Sequence, residues 1–115
     1  MDITSNHHER AVVVSLAGRM DAVSAPQFEK TCETFIAAGT QNIVADIAAL
    51  TYISSMGLGC LLSVAKKLQP RGGTLYVCGA AGMVKEVFRM AGFEKLFPMF
   101  ESAASAMETL APGKL

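Results

Sequence analysis

The run Asn42-Ile43-Val44-Ala45-Asp46-Ile47 constrains the fold of this chain more than any other segment. A near-continuous apolar stretch of that length suits a strand covered on both faces, and such strands belong to parallel sheets sealed by helices. Its upstream neighbour Ala11-Val12-Val13-Val14-Ser15-Leu16 is compact and β-branched, which predicts a second strand ending at Gly18. Ile3 to Ser5 is a short first strand, followed by a polar turn at Asn6-His7-His8-Glu9. Between the two longer strands, Ser24 is placed to cap a helix, with Pro26 in the first turn and Gln27 completing a Ser-x-x-Gln capping box. Phe28, Cys32, Phe35 and Ile36 form one apolar stripe, and Gly39 is the expected left-handed C-cap.

The pattern repeats downstream. A helix is expected to start around Ser54 to Gly57, burying Leu58, Leu61, Leu62, Ala65 and Leu68, with Lys66 and Lys67 near its C-terminal end. Pro70-Arg71-Gly72-Gly73 stops it, and Thr74 to Cys78 is another strand. Val84, Val87, Phe88 and Ala91 mark a third helix ending at Gly92; a short strand follows near Phe97 to Phe100. Ser102 then caps a last helix that places Ala103, Ala106, Met107 and Leu110 on one face. The order predicts an α/β fold, a mixed and mostly parallel sheet of four to five strands with four helices, in one domain over residues 1–115.

Composition narrows the function. Ten basic side chains balance ten acidic ones, so there is no surplus charge to displace phosphate counterions, and nucleic-acid binding is not expected. The richest apolar stretch, Gly57 to Ala65, is about half of the roughly 18 residues needed to span a bilayer, so membrane insertion is not expected either. Met1 to Asn6 carries no basic region followed by an apolar run, hence no secretory signal. Cys32, Cys60 and Cys78 are odd in number and far apart, without a Cys-x-x-Cys pair. That argues against a disulfide framework or structural zinc and favours buried thiols in a reducing cytoplasm.

Convergent catalytic groups do not emerge. His7 and His8 are adjacent on a polar turn and lack the spacing that presents two imidazoles to a metal. Gly57-Leu58-Gly59 begins a dinucleotide fingerprint, but the third glycine would fall at Leu62. Arg71-Gly72-Gly73 lacks the ending of a phosphate loop, and Ser54 and Ser55 lack a nucleophile-elbow frame. Cys60 reads either as a low-pKa thiol near a helix start or, beside Leu61 and Leu62, as a buried one. Seven methionines suggest an adaptable binding surface, but Met83, Met90 and Met107 are more simply read as helix packing. Neither a catalytic residue, nor a metal site, nor a cofactor is expected.

Asp46 to Gly59 is the segment that calls for a functional reading. A buried strand runs into a short loop, and two hydroxyls, Ser54 and Ser55, arrive where a helix begins. One serine is accounted for as an N-cap, worth about 1 kcal/mol. Gly57 and Gly59 occupy the first turns, where each costs up to about 1 kcal/mol against alanine. Either they allow tight internal packing or they leave the helix end open to another molecule. A hydroxyl there is also a suitable phosphate acceptor, because the positive helix terminus tolerates the added negative charge.

These residues resemble the STAS-domain anti-sigma-factor antagonists of bacteria, over nearly the whole chain. The family's Asp-Ser-Ser/Thr-Gly-Leu-Gly signature is matched by Ser54-Ser55-Met56-Gly57-Leu58-Gly59. Gly18-Arg19-Met20-Asp21 is similar to its Gly-x-Leu-Asp, and the Val84 to Phe93 segment to its third-helix pattern. The resemblance implies phosphorylation at Ser55, with Ser54 as the second choice because it stands where the family has an acid. It implies a partner surface of Asp21, Ser54, Ser55, Met56, Gly57 and Leu58. Asp21 is read equally as helix-start electrostatics. The implied partners are an anti-sigma factor that is itself a serine kinase, and a serine phosphatase; the alternative is a phosphorylation-independent accessory or scaffold subunit.

Overall fold

A computed structural model of the chain describes residues 1–110. Residues 111–115 of the expected domain lie outside the described residues. The elements are β1 (Asp2–His7), β2 (Val12–Met20), α1 (Ala25–Ala37), β3 (Ile43–Ile53), α2 (Ser55–Leu68), β4 (Leu75–Cys78), α3 (Gly82–Met90), β5 (Met99–Phe100) and α4 (Ala103–Leu110). The strands form one sheet in the order β1-β2-β3-β4-β5. Among the described residues the β1–β2 hairpin is the one antiparallel pair; the other three pairings are parallel, each joined by a crossover that contains a helix.

Alternation along the strands divides the core in two. Val12, Val14 and Leu16 of β2, with Ile43, Ala45 and Ile47 of β3, join residues of α1, α2 and α3 in the main cluster. Ala11, Val13, Val44 and Cys78 turn to the other face, where Ala106 of α4 is fully buried against them. Side-chain period two places successive residues on opposite faces, so a sheet with helices on both sides reads as the unbroken apolar run at residues 43–47.

Several local expectations are corrected. Asn6 and His7 belong to β1 and not to a turn, and the His7 ring sits edge-on to Phe35 of α1 at 5.2 Å. β2 continues past Gly18 to Met20, with register shifts against β3 at Ser15/Ala17 and at Gly18/Arg19. β3 likewise continues to Ile53, so residues 48–53 are strand and not loop; β2 pairs with them along that length. Met83 and Met90 are exposed rather than packed, because α3 buries only Val84 and Phe88. Gly39, by contrast, takes φ +101°, with its N–H donated to Ile36 O and that of Thr40 to Phe35 O, closing α1 as expected. Ser102 caps α4, its Oγ accepting from Ser105 N at 3.1 Å.

All three thiols are buried. Burial pushes Cys32 and Cys78 up to about 12 and Cys60 up to about 11. Cys60 is therefore a neutral core side chain, held on one side by the Glu29 carboxylate. Above about pH 9 the unfolded chain releases thiol protons that the folded chain keeps, so stability falls as pH rises from there towards 11. Thermal melts across that range should show a falling midpoint, with a smaller fall in the Cys32→Ser, Cys60→Ser, Cys78→Ser triple variant.

Candidate functional site

Parallel pairing brings the two halves of the site together. Met20 at the end of β2 pairs with Ile53 at the end of β3, and Ser54 N donates to Met20 O at 2.9 Å. Asp21 and the Ser54–Ser55 pair therefore leave the sheet at the same end, where ligand sites of parallel α/β sheets are usually found.

The two serines are not equivalent. Ser54 is extended, at φ −90° and ψ 171°, and its Oγ accepts from Gly57 N at 3.1 Å. It is half-buried, and its hydroxyl is engaged in capping α2. Ser55 is the first residue of α2 and is exposed; its hydroxyl has no hydrogen-bond partner among the described residues. α2 has no acidic residue in its first turn, so nothing there offsets the positive end of the helix. Ser54→Ala should cost about 1 kcal/mol in denaturant unfolding, whereas Ser55→Ala should leave stability within about 0.5 kcal/mol.

Asp21 has an internal task. Its Oδ1 accepts from Ser24 N at 2.9 Å and from Val23 N at 3.1 Å, and lies 3.0 Å from the Ser24 hydroxyl. The backbone N–H of Ser24 and then its hydroxyl hold the Asp21 carboxyl below the usual carboxylate range. This corrects the capping-box expectation. Ser24 is already in helical conformation and makes no side-chain cap; its Oγ turns back to Arg19 O at 2.9 Å and accepts from Asp21 N. The carboxylate satisfies N–H groups one turn earlier than the sequence suggested.

The remaining expected site residues separate by burial. Met56 is half exposed beside Ser55. Gly57 and Leu58 point inward and offer no side chain to a partner. A Cβ on Gly57 would stand 2.7 Å from Ile53 Cγ1 and 3.2 Å from Met20 O, so its absence serves internal packing. A Cβ on Gly59 would meet nothing within 4 Å, and that position is open. Two further exposed apolar side chains stand outside the site expected from the sequence, one of them, Met83, having been read as helix packing. Val23 precedes α1 at 83% exposure, and Met83 lies in the first turn of α3 at 66%. Val23 stands alone in a turn, with no periodicity to mark it. With Met56, they place an exposed apolar side chain at the start of α1, α2 and α3.

A family model for the STAS domain matches residues 2–106. The chain belongs to the STAS domain family. The family expected from the Gly18–Asp21, Ser54–Gly59 and Val84–Phe93 segments is thus the one found. Among curated STAS relatives, BtrV of Bordetella bronchiseptica, named as a candidate anti-sigma factor antagonist, is 34% identical over 115 residues, spanning 97% of this chain and 99% of that protein. The anti-sigma F factor antagonist of Paenibacillus polymyxa is 25% identical, over 96% and 95% of the two chains. The crystal structure of an anti-sigma factor antagonist from Mycobacterium paratuberculosis superposes with a TM-score of 0.85 at 25% identity, covering 95% of this chain and 92% of that one. No helix of the described residues is long and apolar enough to cross a membrane.

Proposed function

We propose that this STAS domain, acting as one unit over residues 1–115 in the cytoplasm, is an anti-sigma-factor antagonist switched by phosphorylation at Ser55. Unmodified, it binds an anti-sigma factor that is itself a serine kinase, and so frees a sigma factor. The names of the relatives support the antagonist role. The observation that carries the switch is the contrast at the start of α2: the Ser54 hydroxyl is engaged, while that of Ser55 is exposed and unbonded beside the exposed Met56. In the transfer, Ser55 Oγ attacks the γ-phosphorus of ATP, the bond to the β-phosphate oxygen breaks, ADP leaves, and a base on the kinase takes the hydroxyl proton. A separate serine phosphatase hydrolyses the ester and resets the protein.

The added group brings between one and two negative charges. The folded domain tolerates them at the positive helix end, whereas a partner docked over Ser55 and the exposed Met56 would have to desolvate them. Asp21 holds the turn that carries the exposed Val23. The test is incubation with the cognate kinase and ATP, followed by intact-mass measurement. One phosphate should be gained by wild type and by Ser54→Ala, and none by Ser55→Ala. No phosphate on wild type would favour a phosphorylation-independent accessory role.

A further inference from the structure

The two edges of the sheet are built differently. β5 is two residues long, a length that itself discourages pairing, whereas β1 runs six residues from Asp2 to His7. Natural edge strands are usually blunted by proline, lysine, a bulge or a covering element. Asp-Ile-Thr-Ser-Asn-His has no proline or lysine, its register against β2 is unbroken, and every residue but Ile3 is exposed.

The direction of its free backbone groups follows from the hairpin. His8 N donates to Ala11 O at 2.9 Å, so the alternation of an antiparallel pair makes Asn6/Val13, Thr4/Ser15 and Asp2/Ala17 the pairs bonded to β2. The N–H and C=O groups of Ile3, Ser5 and His7 consequently face away from the sheet. A second β1 satisfies them only where odd-numbered residues oppose odd-numbered residues. Centring the pairing on Ser5 does this: Ser5 opposes Ser5, Ile3 opposes His7, and about six hydrogen bonds form. Moving the centre one residue either way forfeits a pair of these bonds, and in one direction runs the strand into the bend at Glu9–Arg10.

The same register has a charge consequence. It sets Thr4 against Asn6, and Asp2 against His8, at the non-hydrogen-bonded positions where facing side chains come closest. Asp2 is the one acidic residue of the strand, and it meets an imidazole twice across the two-fold axis. We propose that β1 is a self-pairing edge through which two copies of this chain form an antiparallel, two-fold dimer with a continuous sheet. The axis is perpendicular to the sheet, which keeps α1, α2 and α3 of both copies on one face and points the two Ser55 ends in opposite directions. The dimer thus presents two open docking ends, and its existence does not depend on the role of Ser55.

Sedimentation equilibrium of the full chain from micromolar to millimolar concentration tests this. The mass should rise from monomer to dimer. Ser5→Pro removes an N–H that β2 does not use and should weaken dimerisation at least roughly tenfold, with circular dichroism and Tm unchanged. Should that variant fold poorly, charge provides a second readout: Asp2→Lys should weaken the dimer several-fold, and combining it with His8→Asp should restore it. A wild type that stays monomeric throughout, or a dimer indifferent to both the proline and the charge swap, overturns the proposal. So does a monomer that captures the anti-sigma factor through β1, with Ser5→Pro abolishing capture, since the edge would then accept a foreign strand.

Discussion

Ser55→Asp should bind the cognate anti-sigma factor roughly thirty-fold or more weakly than wild type, while Ser55→Ala binds as well as wild type. A carboxylate desolvated in an interface without a partner costs about 2 kcal/mol or more, and that loss sets the factor. Alanine removes only a hydroxyl that has no partner among the described residues, so the docked complex loses little. Titration calorimetry with the purified partner gives both numbers. Equal affinities for the aspartate, alanine and wild-type proteins would remove Ser55 from the interface. Because Ser54 holds the α2 cap, Ser54→Asp keeps a capping oxygen and should fold normally, and its carboxylate should disturb docking less than that of Ser55→Asp.

Gly73→Ala should destabilise the fold by about 3 kcal/mol or more, lowering Tm by roughly 10 °C. A Cβ there would lie 1.7 Å from Gln41 O and 2.8 Å from its carbonyl carbon, and neither is the tip of a flexible side chain that could move aside. The two segments cannot simply separate. Ile43 N donates to Thr74 O at 3.2 Å, Thr74 N to Asn42 Oδ1 at 3.0 Å, and Gln41 Nε2 to Arg71 O at 2.7 Å, all at the start of the β3–β4 pair. Gly59→Ala is the matched control. Its new methyl meets nothing, so helix propensity alone acts and should stabilise by up to about 1 kcal/mol. Thermal denaturation of the two variants should move in opposite directions; a loss below about 1 kcal/mol for Gly73→Ala would mean the backbone relaxes there.

The Gly73 contact shows where sequence reading stops. Gly72-Gly73 was legible as a stop after α2, and Gly72 does end the short helical turn there with φ +72°. That Gly73 lets the entries to β3 and β4 touch depends on a residue 32 positions away in the chain, which no local pattern encodes. Gly57 is similar. Its cost in helix propensity was visible, but whether it served a visitor or the core was settled only by Ile53 and Met20 lying against it.

What the chain determined by itself were features carried by near neighbours. The apolar run at 43–47, the stripe of α1, the Gly39 ending, a serine cap on α2 and the Ser102 cap each depend on residues within a turn or two, where side-chain period and backbone hydrogen bonding act locally; the face of α2 was read only in part, since Cys60 and Val64 are buried there while Leu62 and Ala65 are half-buried. Tertiary structure decided what depends on pairing between distant strands. The length of β3 beyond residue 47 exists because β2 runs beside it, and Asp21 reaches the Ser55 end because Met20 and Ile53 fall in register. The exposure of Val23 and Met83 was likewise set by which faces the sheet left uncovered. An apolar side chain carries the same hydrophobicity wherever it sits, and only packing determines whether water or protein covers it.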